Sequence, residues 1–563
     1  MASQPTTTDR KSSLRLATEA DRPAAATSGR LGWAPRAVGP NRLGTLEERF
    51  GREFVDRLVG RVTVADGDRR WVAVQAPFTG ETLGEVPEAT AEDVVEAARR
   101  GRDAQRLWKT WTLEQRAEVF LRLHDLILDR QEEVLDLIQV EAGKARVHAY
   151  EEVADVANVC RYYAHHAEDH LRSQRRMGAL PGLTATWEHH HPRGLIGFIS
   201  PWNYPLSLAA TDAIPALMAG NAVLLKPDSR TPFTALWVVD LLYQAGLPSG
   251  LFQVVTGAGR TLGEPLIEHS DFLTFTGSTA TGRKVAAQAG QQLIGCALEL
   301  GGKNPAVVLA DADLDRTADG LIRGCFANAG QLCISFERVY VHRAIFDDLL
   351  TLFAERVHCL RVGADLAYGA DMGSLMSQEQ LDKVQEHLDD AVEKGATVVV
   401  GGRPRPDLGP YFFEPTVLTG VEEGMKLYRE ETFGPVVAFY PFDTVEEAVT
   451  QANDTSYGLN ASLWTEDTEL ALELAVRLEA GTVNINEAYA AAWGSVSAPM
   501  GGYKDSGVGR RHGAEGILKY TESQTVAVQR LLPVAPPPGV SHRGFSQMMS
   551  QTLRWLRHVP GLR

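Results

Sequence analysis

From Gly194 onward the chain carries short runs that are apolar on both faces: Leu195-Ile-Gly-Phe-Ile, Ala222-Val-Leu-Leu-Lys, Phe252-Gln-Val-Val and Phe272-Leu-Thr-Phe. A strand with one solvated face alternates apolar and polar residues. These runs do not, so they belong inside a parallel sheet covered on both sides. Helical windows such as Pro232–Ala245 lie between them, and strand alternating with helix is the mark of a doubly wound sheet. A second series follows: Asn304-Pro-Ala-Val-Val-Leu, Arg338-Val-Tyr-Val, Ala396-Thr-Val-Val-Val, Val436-Val-Ala-Phe-Tyr and Gly481-Thr-Val-Asn-Ile-Asn. The pattern predicts an α/β chain of two doubly wound, Rossmann-like units divided near residue 302. Residues 90–175 read as helices, the first opened by Thr90 as N-cap with acids in its first turn.

Composition narrows the function classes. With 44% apolar and 23% charged residues, the 563-residue chain is globular in character. Its net charge of −16 argues against a general nucleic-acid binder. No apolar stretch is long enough for a transmembrane helix. Five cysteines without a C-x-x-C indicate neither a disulfide framework nor a zinc site. Residues 1–43 read as a polar, disordered tail without a secretory leader, so the cytoplasm is the expected compartment. Residues 531–563 read as a Pro-rich linker followed by an amphipathic helix. Phe545, Met548, Met549, Leu553 and Leu556 share helical spacing, and residues 530–563 hold five arginines and no acid. Such a helix docks on a subunit or makes a peripheral membrane contact through residues 544–558.

Several residues could carry chemistry. Gly257-Ala-Gly259-Arg-Thr-Leu-Gly263 misses the G-x-G-x-x-G fingerprint by one residue, and Gly277-Ser-Thr-Ala-Thr-Gly-Arg-Lys284 misses the P-loop similarly. Both sit where a strand opens into a helix, a natural phosphate site; ordinary turns are the alternative. Four cysteines lie in apolar or helical contexts, whereas Cys333 sits in the small-residue turn Asn328-Ala-Gly-Gln-Leu-Cys333. An accessible thiolate there would attack a carbonyl. Glu299, beside Gly301-Gly302 and after the apolar Ile294–Leu298, suits a general base of raised pKa, or simply ends a strand. Asn203, between Pro201 and Pro205, offers a rigid amide for an oxyanion hole, or stabilises its own turn. His189, His190 and His191 alternate faces on a strand, so no metal is expected.

Taken together these residues resemble the aldehyde dehydrogenase superfamily from about residue 70 to 530. The resemblance rests on Pro201-Trp-Asn-Tyr-Pro205, Lys226-Pro227, Phe275-Thr-Gly-Ser278, Glu299-Leu-Gly-Gly-Lys303, Gly330-Gln-Leu-Cys333, Glu431-Thr-Phe-Gly-Pro435, Ala452-Asn-Asp-Thr-Ser-Tyr-Gly458 and Met500-Gly-Gly-Tyr-Lys-Asp-Ser-Gly507. It implies that Cys333 attacks an aldehyde, that Asn203 and the Cys333 N–H hold the oxyanion, and that Glu299 activates water. It also implies that Lys226 and Glu431 hold the riboses of NAD(P), that Trp202 and Phe433 lie by the cofactor, and that Ser278 reaches the pyrophosphate. Implied too is a domain plan: a cofactor unit over 44–301 interrupted by a bridging hairpin at 177–192, a catalytic unit over 302–495, and a return segment with bridging strand over 496–530. The bridging pieces would build a homodimer or homotetramer.

NAD-preferring relatives carry glutamate where this chain has Ser229, which points to NADP, with NAD possible; Asp228 keeps an acid close by. Within the family the look is nearest to an actinobacterial branch labelled succinate-semialdehyde dehydrogenase (NADP+). That substrate's carboxylate wants an arginine, yet the two expected positions hold Thr211 and Ala327. The loop Glu487–Ser497, with Trp202, Tyr204, Tyr489, Trp493 and Ser497, predicts instead a pocket for a larger neutral aldehyde. Ser335 replaces the second cysteine of the family's redox switch. A CoA-acylating relative would lack the base at Glu299, and an inactive scaffold would not keep Cys333, Glu299 and Asn203 together.

Overall fold

The computed structural model describes residues 44–65, 67–178, 184–529 and 535–559. The tail 1–43 lies outside the described residues. Residues 91–171 form four helices, Ala91–Trp108, Leu113–Asp129, Gln131–Ala142 and Arg146–Leu171. Thr90 caps the first: its hydroxyl accepts from the Asp93 N–H, and the Asp93 carboxylate accepts from the Thr90 N–H. Such a reciprocal cap satisfies two donors that a helix start leaves free.

Two parallel sheets follow, as the apolar runs predict. The first has the order Gly507–Val508, Gly295–Glu299, Phe272–Thr276, Leu195–Ile199, Ala222–Lys226, Phe252–Val254. Its strands are parallel except the return strand Gly507–Val508, which pairs antiparallel with Leu298–Glu299. Ala222–Lys226 is buried throughout, and the helix Pro232–Gln244 is buried on every side up to Leu242. The chain runs outward from Leu195–Ile199 through two strands, then crosses back to Phe272–Thr276 on the other side. Strand order therefore reverses between these two, and a crevice opens at their carboxyl ends.

The second sheet has the order Thr397–Val400, Thr416–Thr419, Val436–Phe442, Phe336–His342, Asn304–Val308, Asn460–Trp464, Thr482–Ile485. Only Thr397–Val400 is antiparallel. The strand Asn460–Trp464 escapes a search for apolar runs because Asn460 and Ser462 interrupt it. Both are buried and paired: Asn460 donates to the carbonyls of Ile334 and Ala488, and Ser462 donates to that of Glu487.

A third sheet joins Gln174–Met177, Thr184–Pro192 and Thr521–Gln529, all antiparallel. The strand Thr521–Gln529 is exposed beyond its first residue. The helix His542–Leu556 has no buried residue. No described helix is long and apolar enough to cross a membrane.

Candidate active site

The helix Leu314–Phe326 ends in a turn whose backbone is unusual. Asn328, Ala329 and Gly330 all have positive φ, at 50°, 55° and 71°. Side chains with a Cβ resist this conformation, so something must hold it. The Asn328 amide donates to the carbonyls of Asn203 (3.0 Å) and Gln331 (3.1 Å). The Gln331 amide donates to the carbonyls of Asn328 and Ser374, and its oxygen accepts from the Met376 N–H. This clamp presents Cys333 half-buried, with its carbonyl accepting from Asn304 Nδ2 at 2.8 Å. A side chain at Gly302 would collide with that carbonyl, since an added Cβ would lie 2.5 Å from it.

Burial, then the charge of Glu299, pushes the Cys333 thiol up to about 12. At rest Cys333 is therefore a neutral thiol, which would need a base to act as a nucleophile. Glu299 ends the strand Gly295–Glu299 and is buried. Desolvation pushes its pKa up to about 7, opposed by the positive charges of Arg511 and Lys519. Its Oε1 has no hydrogen-bond partner among the described residues. An unpartnered buried carboxylate oxygen titrating near neutrality is what a general base needs.

Asn203 is buried, one amide N–H donating to the Gln331 carbonyl at 3.1 Å. Its loop is anchored by an ion pair: Lys144 and Glu152, both fully buried, meet at 2.6 Å. Glu152 also accepts from the Leu206 and Ser207 N–H groups. Lys144 Nζ sits 3.5 Å from the centre of the Tyr204 ring.

The crevice of the first sheet collects the other predicted residues. Lys226 ends its strand, Gly277 and Ser278 follow Phe272–Thr276, and Ser278 caps the helix Thr279–Gln291. Gly257 has φ +143° and precedes the helix Gly259–Glu268. A side chain at Gly277 would strike the Phe275 ring, with an added Cβ 2.7 Å away. Two helix starts with bare backbone fit a dinucleotide's phosphates. Across the crevice, Glu431 accepts from the Gly302 N–H at 2.8 Å. Phe433, at φ 57°, meets Trp202 edge-on at 5.7 Å. That loop is held by Glu337, which accepts from the Thr432 and Phe433 N–H groups (2.9 Å each) and pairs with the buried Lys303. Burial opposes ionisation of Glu337, but Lys303 and these N–H groups keep its pKa below the usual value.

Ser229 donates to the Gly257 carbonyl at 2.9 Å, and Asp228 is paired with Arg230 at 2.9 Å. Arg230 also lies over the Trp202 ring, 5.2 Å from its centre. Sequence reasoning missed Arg230, although it adjoins Ser229 and offsets the acid at Asp228.

On the substrate side, Tyr204 and Tyr489 are buried. The Tyr489 hydroxyl touches Glu151 (3.2 Å) and Arg323 (3.0 Å). Ser497 is exposed, its hydroxyl 3.3 Å from Ser495, and the Trp493 side chain lies outside the described part. The buried Arg511 is also absent from the sequence reading. Its Nε pairs with Asp212 at 2.9 Å, and its Nη2 donates to the Thr211 hydroxyl at 2.5 Å. A guanidinium thus reaches the residue where an arginine was expected, delivered from 300 positions away in the chain. Among the described residues no group of three or more metal-type ligands exists.

A dinucleotide-type crevice together with a half-buried cysteine and a buried glutamate and asparagine suits an oxidoreductase. Residues 63–526 match the model of the aldehyde dehydrogenase family, and the chain belongs to that family. It is 51% identical over 506 residues (90% of this chain, 98% of the relative) to the "putative succinate-semialdehyde dehydrogenase [NADP(+)]" of Mycolicibacterium smegmatis. It is 36% identical over 481 residues (84% and 95%) to the phenylacetaldehyde dehydrogenase of Pseudomonas fluorescens. Among solved structures, the betaine aldehyde dehydrogenase of Staphylococcus aureus in complex with NAD+ superposes with a TM-score of 0.80 at 32% identity, covering 86% of this chain and 97% of that one.

Proposed function

We propose that the protein oxidises an aldehyde to its carboxylic acid through a covalent intermediate on Cys333. The observation that carries this reading is the unpartnered, buried Glu299 carboxylate, raised to about 7, beside a clamped cysteine. The Cys333 sulfur adds to the aldehyde carbon as the thiol proton leaves, and Glu299 is the nearby acceptor. The thiohemiacetal oxyanion takes hydrogen bonds from the Asn203 amide and the Cys333 N–H. A bound nicotinamide cofactor supplies the chemistry of accepting a hydride. Once Glu299 has passed the thiol proton to solvent, it draws a proton from water as that water attacks the Cys333 thioester; the acid is released, and the departing thiolate takes the proton back from Glu299 to restore the thiol. Trp202 and Phe433 wall the cofactor's reactive end; Lys226, Gly257, Gly277, Ser278 and Glu431 hold its riboses and phosphates.

The cofactor in this reading is NADP+, with NAD+ accepted less well. Ser229 replaces a repelling carboxylate, and Arg230 neutralises Asp228 and adds a guanidinium that suits a phosphate. The substrate is succinate semialdehyde, by analogy with the named mycobacterial relative, with Arg511 supplying the cation missing at Thr211 and Ala327. The aromatic wall of Tyr204 and Tyr489 supports a second reading, a larger neutral aldehyde. The enzyme is a cytoplasmic homodimer or homotetramer, assembled through the exposed edge of Thr521–Gln529.

A panel of aldehydes with both cofactors tests this. The expected result is a higher kcat/KM for NADP+ than NAD+ and for succinate semialdehyde than for phenylacetaldehyde. Arg511→Met should raise KM for the semialdehyde at least about tenfold, the scale of one lost charged contact, and spare KM for propanal. Equal effects on both aldehydes would leave Arg511 a partner of Glu299 alone, and a preference for phenylacetaldehyde would select the second reading.

A further inference from the structure

The helix His542–Leu556 stands apart from the fold: none of its residues is buried, and the family match ends before it, at residue 526. Its sequence is sorted by side. At 100° per residue, Phe545, Met548, Met549, Thr552, Leu553, Trp555 and Leu556 share a single arc, and Val559 extends it. Arg543, Arg554, Arg557 and His558 fall on the opposite arc with Gln547 and Ser550. Met548, Leu553 and Trp555 are 51%, 54% and 65% exposed. A face this apolar is not left in water without a partner.

The charge pattern names the occupant. A helix that packs on protein usually mixes acids and bases, whereas residues 530–563 contain arginine only and no acid. The chain as a whole carries −16, so this segment is opposite in sign to the protein it is attached to. Arginines opposite a broad apolar face, with a tryptophan at the edge of that face, match a helix lying in a lipid interface. The net positive charge selects anionic lipid. The linker over 530–541 contains Pro533, Pro536, Pro537 and Pro538, which favour an extended spacer.

We propose that residues 542–559 form a peripheral anchor that lays its apolar face into an anionic bilayer surface and tethers the dehydrogenase there. The proposal does not depend on which aldehyde is oxidised. Full-length protein is floated with vesicles of phosphatidylcholine alone and with vesicles that also contain phosphatidylglycerol, at low and high salt. Expected is at least a tenfold excess in the lipid fraction with the anionic vesicles, weakened by salt. A chain ending at Arg530 should lose it while keeping kcat/KM. Leu553→Ser with Trp555→Ser should lose flotation at any salt, and Arg554→Gln with Arg557→Gln should lose the preference for anionic lipid. Flotation of the shortened chain equal to that of the full chain would overturn the proposal. So would absence of flotation together with a change of oligomeric mass on shortening, which would make a second copy of the chain the partner.

Discussion

The turn Asn328–Cys333 and the helix His542–Leu556 are opposites. The turn defies local preference: two non-glycine residues in the left-handed region cost about 2–4 kcal/mol together. It persists because Asn328 and Gln331 make five buried hydrogen bonds to it and around it, each worth about 1 kcal/mol. The helix follows local preference throughout, from the Ser541 cap to its sorted faces, yet none of its residues is buried. Tertiary contacts hold Cys333 in place, while local sequence alone shapes the helix and leaves its surface for a partner.

The sharpest way to probe the turn is its cargo. Cys333→Ala should abolish aldehyde oxidation, a loss of at least about 10⁴-fold in kcat, with the fold unchanged by circular dichroism; residual turnover above that level would remove Cys333 from the chemistry. Next in size is Glu299→Gln, expected to lower kcat by about 10²–10⁴. The first turnover should slow too in stopped-flow traces, because the variant lacks the acceptor for the Cys333 proton as well as the base for hydrolysis. In the unaltered enzyme kcat should rise with pH through about 7 as Glu299 ionises. The sign for stability is opposite. The folded carboxyl keeps its proton to about 7 and the unfolded one only to about 4.3, so stability is lost as pH rises between these values. Above pH 7 Glu299→Gln should therefore be the more stable protein in urea melts, by up to about 4 kcal/mol. Asn328→Ala strikes the turn itself: it deletes two buried hydrogen bonds, to the carbonyls of Asn203 and Gln331, of which the second keeps the Asn203 amide as donor. A stability loss of about 2–4 kcal/mol is expected, with a fall in kcat larger than any change in KM. A variant that melts like the parent would show that the turn holds itself. At the low end, shortening the chain to Arg530 should shift stability by less than about 0.5 kcal/mol, because the helix buries nothing.

Much of this architecture is legible in the chain. Runs apolar on both faces predict both parallel sheets, since burial on two sides leaves no room for alternation. The strands Asn460–Trp464 and Thr416–Thr419 go unread, the first because its buried polar residues find partners only in the folded sheet. Cys333, Glu299 and Asn203 stand out through their neighbours and the family motifs. Arg511, Asp212, Arg230 and Asn328 do not, because each acquires meaning from a residue distant in sequence or from its own backbone angle.

By itself, then, the sequence determined the doubly wound class, the family, and the sorted faces of the last helix, all matters of periodicity and local motif. Only the tertiary structure decided that Glu299 Oε1 lacks a hydrogen-bond partner, that Cys333 rides on a left-handed turn, and that Arg511 reaches Thr211. Desolvation, strain and long-range ion pairs depend on what surrounds a group in space, and order along the chain does not record that.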